Sequence, residues 1–382
     1  MNQEQISAGL NPEQRRAVEA VRGPVVILAG AGSGKTTTIT RRIANQVLSG
    51  AFQPGEILAV TFTDNAVGEM RGRLERLGVQ GVKARTFHSA ALAQLRNLAE
   101  NPPGQILASK AGPLRQLANS LPAPYRFRPS ADLANEIEWA KNRRLTPDTY
   151  AGSLGDHEPP IPVDLMQPIF RRYEERKNDQ GLMDFEDILG LTIQMFDRDE
   201  YATERFRARY AAFTVDEYQD VNLLQQSLLD RWLGPRDDVC AVGDDYQSIY
   251  SFTGASPTYL LGMPRRWPRA TVVRLEENYR STPEVLDVAN RLVPNLGGAE
   301  KTLRPARASG PQAVTKWLVD AHAESLFVVE RVKELQRAGI PLEEMAVIYR
   351  ANFRSEDFEE AFSSAGIAFQ VRDGAFLNRI AA

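Results

Sequence analysis

Lys35, Thr36, Asp216 and Glu217 are residue types that handle phosphate and divalent metal, and their settings say how. In "AGAGSGKTT" (29–37) an apolar run, "VVILA", breaks into Ala29, Gly30, Ala31, Gly32, Ser33 and Gly34, and Lys35, Thr36 and Thr37 open a helical stretch. The backbone N–H groups of such a loop converge on phosphate oxygens. Lys35 neutralises the β/γ charge, and the Thr36 hydroxyl is placed to hold Mg²⁺. The strict spacing G-x-x-x-x-G-K-[ST] has Gly where this chain has Ala29. The order strand, loop, helix separates the pattern from a Gly-rich structural turn and predicts a nucleoside triphosphate, without saying what is done with it.

A second strand end, "FTVDEYQD" (213–220), supplies the carboxylates such a loop needs. Asp216 closes an apolar run and suits Mg²⁺, directly or through water, while Glu217 suits the polarising of an attacking water. A phosphotransferase would need no such base for water, and the pair is therefore read as hydrolytic. A third, "VCAVGDDYQSIYSFTGA" (239–255), puts Gln247 just beyond a strand, where an amide can sense a γ-phosphate. Tyr250 and Phe252 follow. Their pattern alone leaves two readings open, core packing or a platform on which bases stack.

These residues need a scaffold that lines up strand ends. Six apolar, β-branched runs alternate with helical patterns: 25–29, 57–62, 213–216, 239–243, 271–275 and 345–349. That alternation predicts an α/β fold with a parallel sheet covered on both faces and ligands at the strand ends. Between about residues 90 and 210 amphipathic helical stretches and Pro-rich joints replace it, which predicts a helical insert. In "GLMDFEDILGLTIQMF" (181–196), Phe185, Ile188, Leu189 and Thr192 recur at helical spacing, read as a core-facing helix without chemistry. After Arg274 a further α/β unit is expected.

Composition narrows the classes. The chain has 382 residues, 43% hydrophobic and 25% charged, with a formal net charge of −3. Two or three domains are the natural expectation. No apolar run approaches the roughly 20 residues of a bilayer span, so no membrane partner is expected. One cysteine, Cys240, excludes an internal disulfide framework, and with three histidines it leaves no usual zinc ligand set. A bacterial cytoplasm is the expected location. The net charge decides nothing about nucleic acid, which needs only a local groove.

Taken together, eight blocks resemble the UvrD/Rep/PcrA group of superfamily 1A DNA helicases, which are 3′-to-5′ ATP-driven translocases on single-stranded DNA. They are "LNPEQRRAV" (10–18), "AGAGSGKTT" (29–37), "AVTFTDNAVGEMRGRL" (59–74), "ARTFHSAAL" (84–92), "VDEYQDVN" (215–222), "AVGDDYQSIYSFTGA" (241–255), "LEENYRST" (275–282) and "AVIYRANFRSE" (346–356). The wording is closest to a second UvrD-like branch of actinobacteria. The resemblance implies a RecA-like P-loop fold, with domain 1A at 1–90 and 211–275, insert 1B at 91–210, and part of domain 2A at 276–382. It implies that Gln14 bonds the adenine edge, Tyr279 stacks on the adenine ring, and Arg280 is an arginine finger. It also implies a DNA track of Thr61, Phe62, Thr63, Asn65, Thr86, Phe87 and His88, and it assigns Tyr250 and Phe252 to bases.

The departures carry expectations too. Thr37 stands where the family has a basic residue beside the adenine, Asn65 where it has Lys, and Phe252-Thr253 where it has Trp-Arg. Less charge on the track means weaker DNA binding and a shallower salt dependence. Blocks like "T-x-H-x-x-K-G-L-E" and "V-x-x-T-R-A" are not found. The chain is therefore expected to be a motor cut before the family's 2B insertion, binding Mg·ATP and single-stranded or 3′-tailed duplex DNA, with weak ATP turnover and no processive unwinding on its own. DNA-repair proteins are the partners the family implies. The competing expectation is a non-motor, nucleotide-controlled switch that binds DNA or protein.

Overall fold

The computed structural model describes residues 3–100 and 103–371. It has two compact units, one ending at Pro311 and the other beginning at Gln312.

The first unit is built on six parallel strands: β1 (Val25–Ala29), β2 (Ile57–Thr61), β3 (Lys83–Thr86), β4 (Ala212–Val215), β5 (Val239–Gly243) and β6 (Thr271–Leu275). Their order across the sheet is β3-β2-β4-β5-β1-β6. Side chains alternate between two cores. Val26, Leu28, Val60, Phe213, Val215 and Ala241 enter one, and Val25, Ile27, Ala29, Ala59, Cys240 and Val242 enter the other. Burial on both faces is why these runs read as continuously apolar. Strand β3, "KART", escaped the apolar pattern because it is an edge strand with polar neighbours.

The first core is organised around Trp232. Its ring stacks on Phe87 at 5.7 Å and lies near Phe206 and Phe213, and its indole N–H donates to Gln94 Oε1 at 2.8 Å. Such ring pairs add about 0.5–1.5 kcal/mol each beyond area burial.

The helical insert leaves the sheet after β3 and returns at β4. Helices Ser130–Asn142 and Val163–Asp179 enclose a separate core that includes Leu133, Ile137, Trp139, Met166 and Phe170. Helix Phe185–Arg198 buries Ile188, Leu189 and Thr192 as its spacing predicts. Phe185 departs from that expectation: it is half exposed, with its ring edge-to-face with His88 at 5.8 Å, because it sits in the helix's first turn, at the end of that buried face.

Residues 276–311, expected with the second α/β unit, pack within the first unit. The second unit contains helices Ala321–Arg337 and Ser355–Ser364 around Val329, Val332, Phe358 and Phe362. The strand expected at 345–349 does not form among the described residues, and Ile348 is exposed. β-propensity without a neighbouring strand to share hydrogen bonds does not make a ladder. No described helix is long and apolar enough to cross a membrane.

Candidate nucleotide site and nucleic-acid surface

The loop after β1 takes its shape from glycine and from outside support. Gly32 and Gly34 adopt φ of 66° and 83°, in the left-handed region that favours glycine. The Gly30 N–H donates to Leu275 O at 3.0 Å, and the Ser33 hydroxyl donates to Gly30 O at 2.6 Å. Gln14 Nε2 donates to Ser33 O at 2.9 Å. Lys35 and Thr36 begin helix Lys35–Leu48, so unpaired helix N–H groups sit at the loop.

Strand β5 lies between β1 and β4, which separates the loop from Asp216 by two strand spacings, about 10 Å. Lys35 bridges that gap, its Nζ lying 2.9 Å from Glu217 Oε2. Glu217 takes φ 50°, one of two described non-glycine residues in the left-handed region. Strain of that kind concentrates at functional positions. Its backbone N–H donates to Asp216 Oδ1 at 3.0 Å. Gln219, not singled out in the sequence, donates to Glu217 Oε2 at 3.0 Å and accepts the Asp244 N–H at 2.9 Å, joining the ends of β4 and β5.

Burial pushes the Asp216 carboxyl up to about 6, and the neighbouring Glu217 charge adds to the rise. Asp220 is pushed up to about 6 by the same two causes in the same order. Lys35 thus faces three carboxylates. The Thr36 hydroxyl has no protein partner among the described residues. A hydroxyl and a buried carboxylate in excess of positive charge are hard oxygen donors that fit Mg²⁺, which keeps several waters and shares phosphate oxygens.

The segment after β6 presses on the loop. Asn278 Nδ2 donates to Ala31 O at 2.6 Å, and its Oδ1 accepts the N–H groups of Arg280 and Ser281. The Tyr279 N–H donates to Gly32 O at 2.9 Å. A Cβ on Gly32 would lie 2.7 Å from Arg280 Cβ, so Gly is needed for that approach. The Arg280 side chain is exposed and has no ion pair among the described residues. Tyr279 and Gln14 come to one mouth through Asn11, which donates to Tyr279 Oη at 3.0 Å and to Glu277 Oε2 at 2.9 Å. Gln14 itself is buried with both amide atoms engaged, Oε1 accepting the Asn11 N–H. A base edge has to displace one of those bonds. Thr37, expected to leave its position without a basic group, receives one from elsewhere: Arg73 Nη1 donates to Thr37 Oγ1 at 3.2 Å. Sequence reading misses this because Arg73 lies 36 residues away.

The polar and aromatic residues at the strand ends divide into surface and support. Asn65 and Thr63 are exposed, and Thr63 caps helix Asp64–Arg76. Thr86 caps helix Phe87–Leu98 through Ser89. Tyr250 and Phe252 are 47% and 64% exposed with ring centroids 6.0 Å apart, which removes the core-packing reading for them. Phe62 is half-buried, edge-on to Phe87 at 6.2 Å. Two expectations need correction: Phe87 is fully buried against Trp232, and Thr61 is buried with its hydroxyl donating to Thr63 O, so neither offers a side chain to a strand of DNA. Position beside a motif placed them on the surface; the aromatic core claimed one and the strand interior the other. Burial and the Lys110 charge lower His88 to about 4, leaving the imidazole uncharged at neutral pH. Gln247 is exposed, and its Nε2 donates to Asp244 Oδ2 at 2.7 Å.

A parallel sheet with a phosphate-type loop after one strand and a lysine-bridged acidic pair after another is the arrangement of a P-loop nucleotide hydrolase. Residues 10–268 match the UvrD/REP helicase N-terminal domain and residues 273–380 the UvrD-like helicase C-terminal domain. The chain belongs to the UvrD/REP helicase family. It is 44% identical to the ATP-dependent DNA helicase UvrD2 of Mycobacterium tuberculosis, with 97% of this chain and 56% of that protein covered. It is 34% identical to UvrD1 of the same organism, covering 97% of this chain and 50% of that one, and 32% identical to PcrA of Bacillus subtilis, covering 97% and 51%. The chain spans about half the length of the curated relatives it matches.

Proposed function

We propose that this chain is the ATP-binding part of a DNA helicase that translocates 3′ to 5′ along single-stranded DNA. The observation that carries the reading is the Lys35–Glu217 contact of 2.9 Å, made over the end of β5 and beside the buried Asp216. Lys35 and the loop 29–34 take the phosphates, Thr36 and Asp216 would hold Mg²⁺, and Glu217 takes a proton from the attacking water. Mg²⁺ would supply charge neutralisation for the phosphates. Gln14 and Tyr279 face the base, and Arg280 meets the charge that develops on the γ-phosphate. When nucleotide binds, the triphosphate takes over Lys35 and releases Glu217 for the water.

The DNA surface in this reading consists of Thr63, Asn65, Thr86, His88, Tyr250 and Phe252, with Phe62 at its edge. Residues 1–90 and 211–275 act as domain 1A, 91–210 as 1B, and 276–382 as part of 2A. The names of the relatives support ATP-driven work on DNA, and repair is the pathway we infer from the family. The test is ATP hydrolysis by this chain with and without single-stranded DNA, repeated with Glu217→Gln and Arg280→Ala. Hydrolysis that rises with DNA and collapses in both variants is expected; turnover unchanged in Glu217→Gln removes the assigned base.

A further inference from the structure

Lys301 is nearly fully buried, yet it belongs to a short segment with no place in the nucleotide site described above. Its Nζ lies 2.7 Å from Asp244 Oδ1, contacts Asp245 as well, and sits 4.3 Å from the centroid of the Tyr246 ring. Asp244 uses its other oxygen, Oδ2, to accept Gln247 Nε2 at 2.7 Å. The two carboxylates follow directly on β5, and Gln247 follows them. Two residues beyond Lys301, Leu303 packs so closely on Gly30 that a Cβ there would overlap it. Asn290 of helix Pro283–Leu292 grips Leu303 at both backbone atoms, at 2.9 and 3.0 Å. One segment therefore touches both loops that face the nucleotide.

We propose that Lys301 is a positioning residue that, through Asp244, fixes the orientation of the Gln247 amide toward the γ-phosphate. Asp244 Oδ2 accepts from the nitrogen end of the Gln247 amide, and the second N–H remains for an anionic oxygen. Lys301 holds Asp244 Oδ1 at 2.7 Å, which leaves Oδ2 turned toward Gln247. Without that contact the buried carboxylate turns away, the amide loses its reference, and its carbonyl can face the phosphate instead. Because Asn290 ties the segment to helix Pro283–Leu292, movement of that helix reaches Gln247 by the same route. The inference rests on the reading of Gln247 as the γ-phosphate sensor.

The experiment measures the affinity of this chain for a fluorescent non-hydrolysable ATP analogue and for the matching ADP, with thermal unfolding as a check on folding. Gln247→Ala is expected to lower the preference for the triphosphate by about tenfold or more, as losing a hydrogen bond to a charged group does. Lys301→Met and Asp244→Asn are expected to lower it by a similar factor with ADP affinity unchanged, Lys301→Arg to restore most of it, and Lys301→Met with Gln247→Ala to lose no more than either alone. Preference retained in folded Lys301→Met or Asp244→Asn while Gln247→Ala loses it overturns the role of Lys301 alone. Preference unchanged in Gln247→Ala overturns the sensor reading, and the role of Lys301 with it. If Lys301→Met does not fold, Asp244→Asn and Lys301→Arg carry the same comparison.

Discussion

Two regions of the first unit gather lysines and carboxylates, and they do so to opposite effect. In the helical insert, Lys141 contacts Glu174, Asp184 and Asp187 at 3.1, 2.7 and 2.6 Å, and the buried Lys177 contacts the same three. Tyr173 donates to Asp184 at 3.0 Å. Burial alone would raise the Asp184 carboxyl, but Lys141 and Lys177 pull it far below the usual range. At the sheet ends Lys35 is the one cation, among the described residues, that acts on Asp216 and Asp220 beside Glu217, and both of those carboxyls are pushed up. Glu174, Asp184 and Asp187 are close enough together to ligate a metal, yet two ammonium groups already supply the charge. One lysine to three carboxylates is the setting proposed above to take a ligand, whereas two lysines to three tie the helices of the insert together.

Four measurements break or sharpen this contrast. Glu217→Gln is expected to reduce ATP turnover by about 10²–10⁴-fold with nucleotide affinity retained, read by steady-state hydrolysis and equilibrium binding. Lys141→Met leaves buried carboxylates short of a partner and is expected to cost about 3–5 kcal/mol in denaturant unfolding, whereas Lys35→Met, which breaks one contact to the more exposed Glu217, is expected to cost less. Equal losses would erase the distinction between the clusters.

The third uses pH. The folded-state value of Asp216 lies above its unfolded one, so its ionisation destabilises the fold: the penalty is absent below about pH 4, grows to about pH 6 and is full above that. Asp216→Asn is therefore expected to stabilise the free protein at pH 7.5 by up to about 3 kcal/mol and by little at pH 4.5. Asp184 has the opposite sign, contributing stability above the unfolded carboxyl range that is lost as pH falls through its lowered value. Thermal unfolding at the two pH values, with Asp216→Asn beside Asp184→Asn, reads both; a stabilising Asp184→Asn would invert the contrast.

The fourth measurement tests the surface against the core. Tyr250→Ala and Phe252→Ala are expected to weaken single-stranded DNA binding by about 1–3 kcal/mol each with folding intact. Phe87→Ala costs stability instead, about 3–5 kcal/mol, in keeping with its place against Trp232. Titration with labelled oligonucleotide and chemical unfolding separate the two outcomes.

Motif order and the apolar runs were enough to give the parallel sheet, the helical insert and the grouping of Lys35, Glu217 and Asp216, because each depends on residues whose spacing fixes a local shape. Five of the six expected strands lie where their apolar runs do. The run at 345–349 shows the limit, since a strand exists only with a neighbour, and no strand runs beside it among the described residues. Asn278 and Gln219 were passed over because their work is to bond backbone atoms of other loops, and an amide carries no signature of that in a single sequence.

What the sequence determined by itself was which side chains gather at the strand ends, because an apolar run places the residues that follow it at the end of its strand. The tertiary structure alone decided which aromatic faces water, which lysine is balanced, and that Arg73 and Lys301 arrive from distant helix and loop. Those outcomes depend on burial and on the sum of nearby charge, both of which are set by residues far apart in the chain.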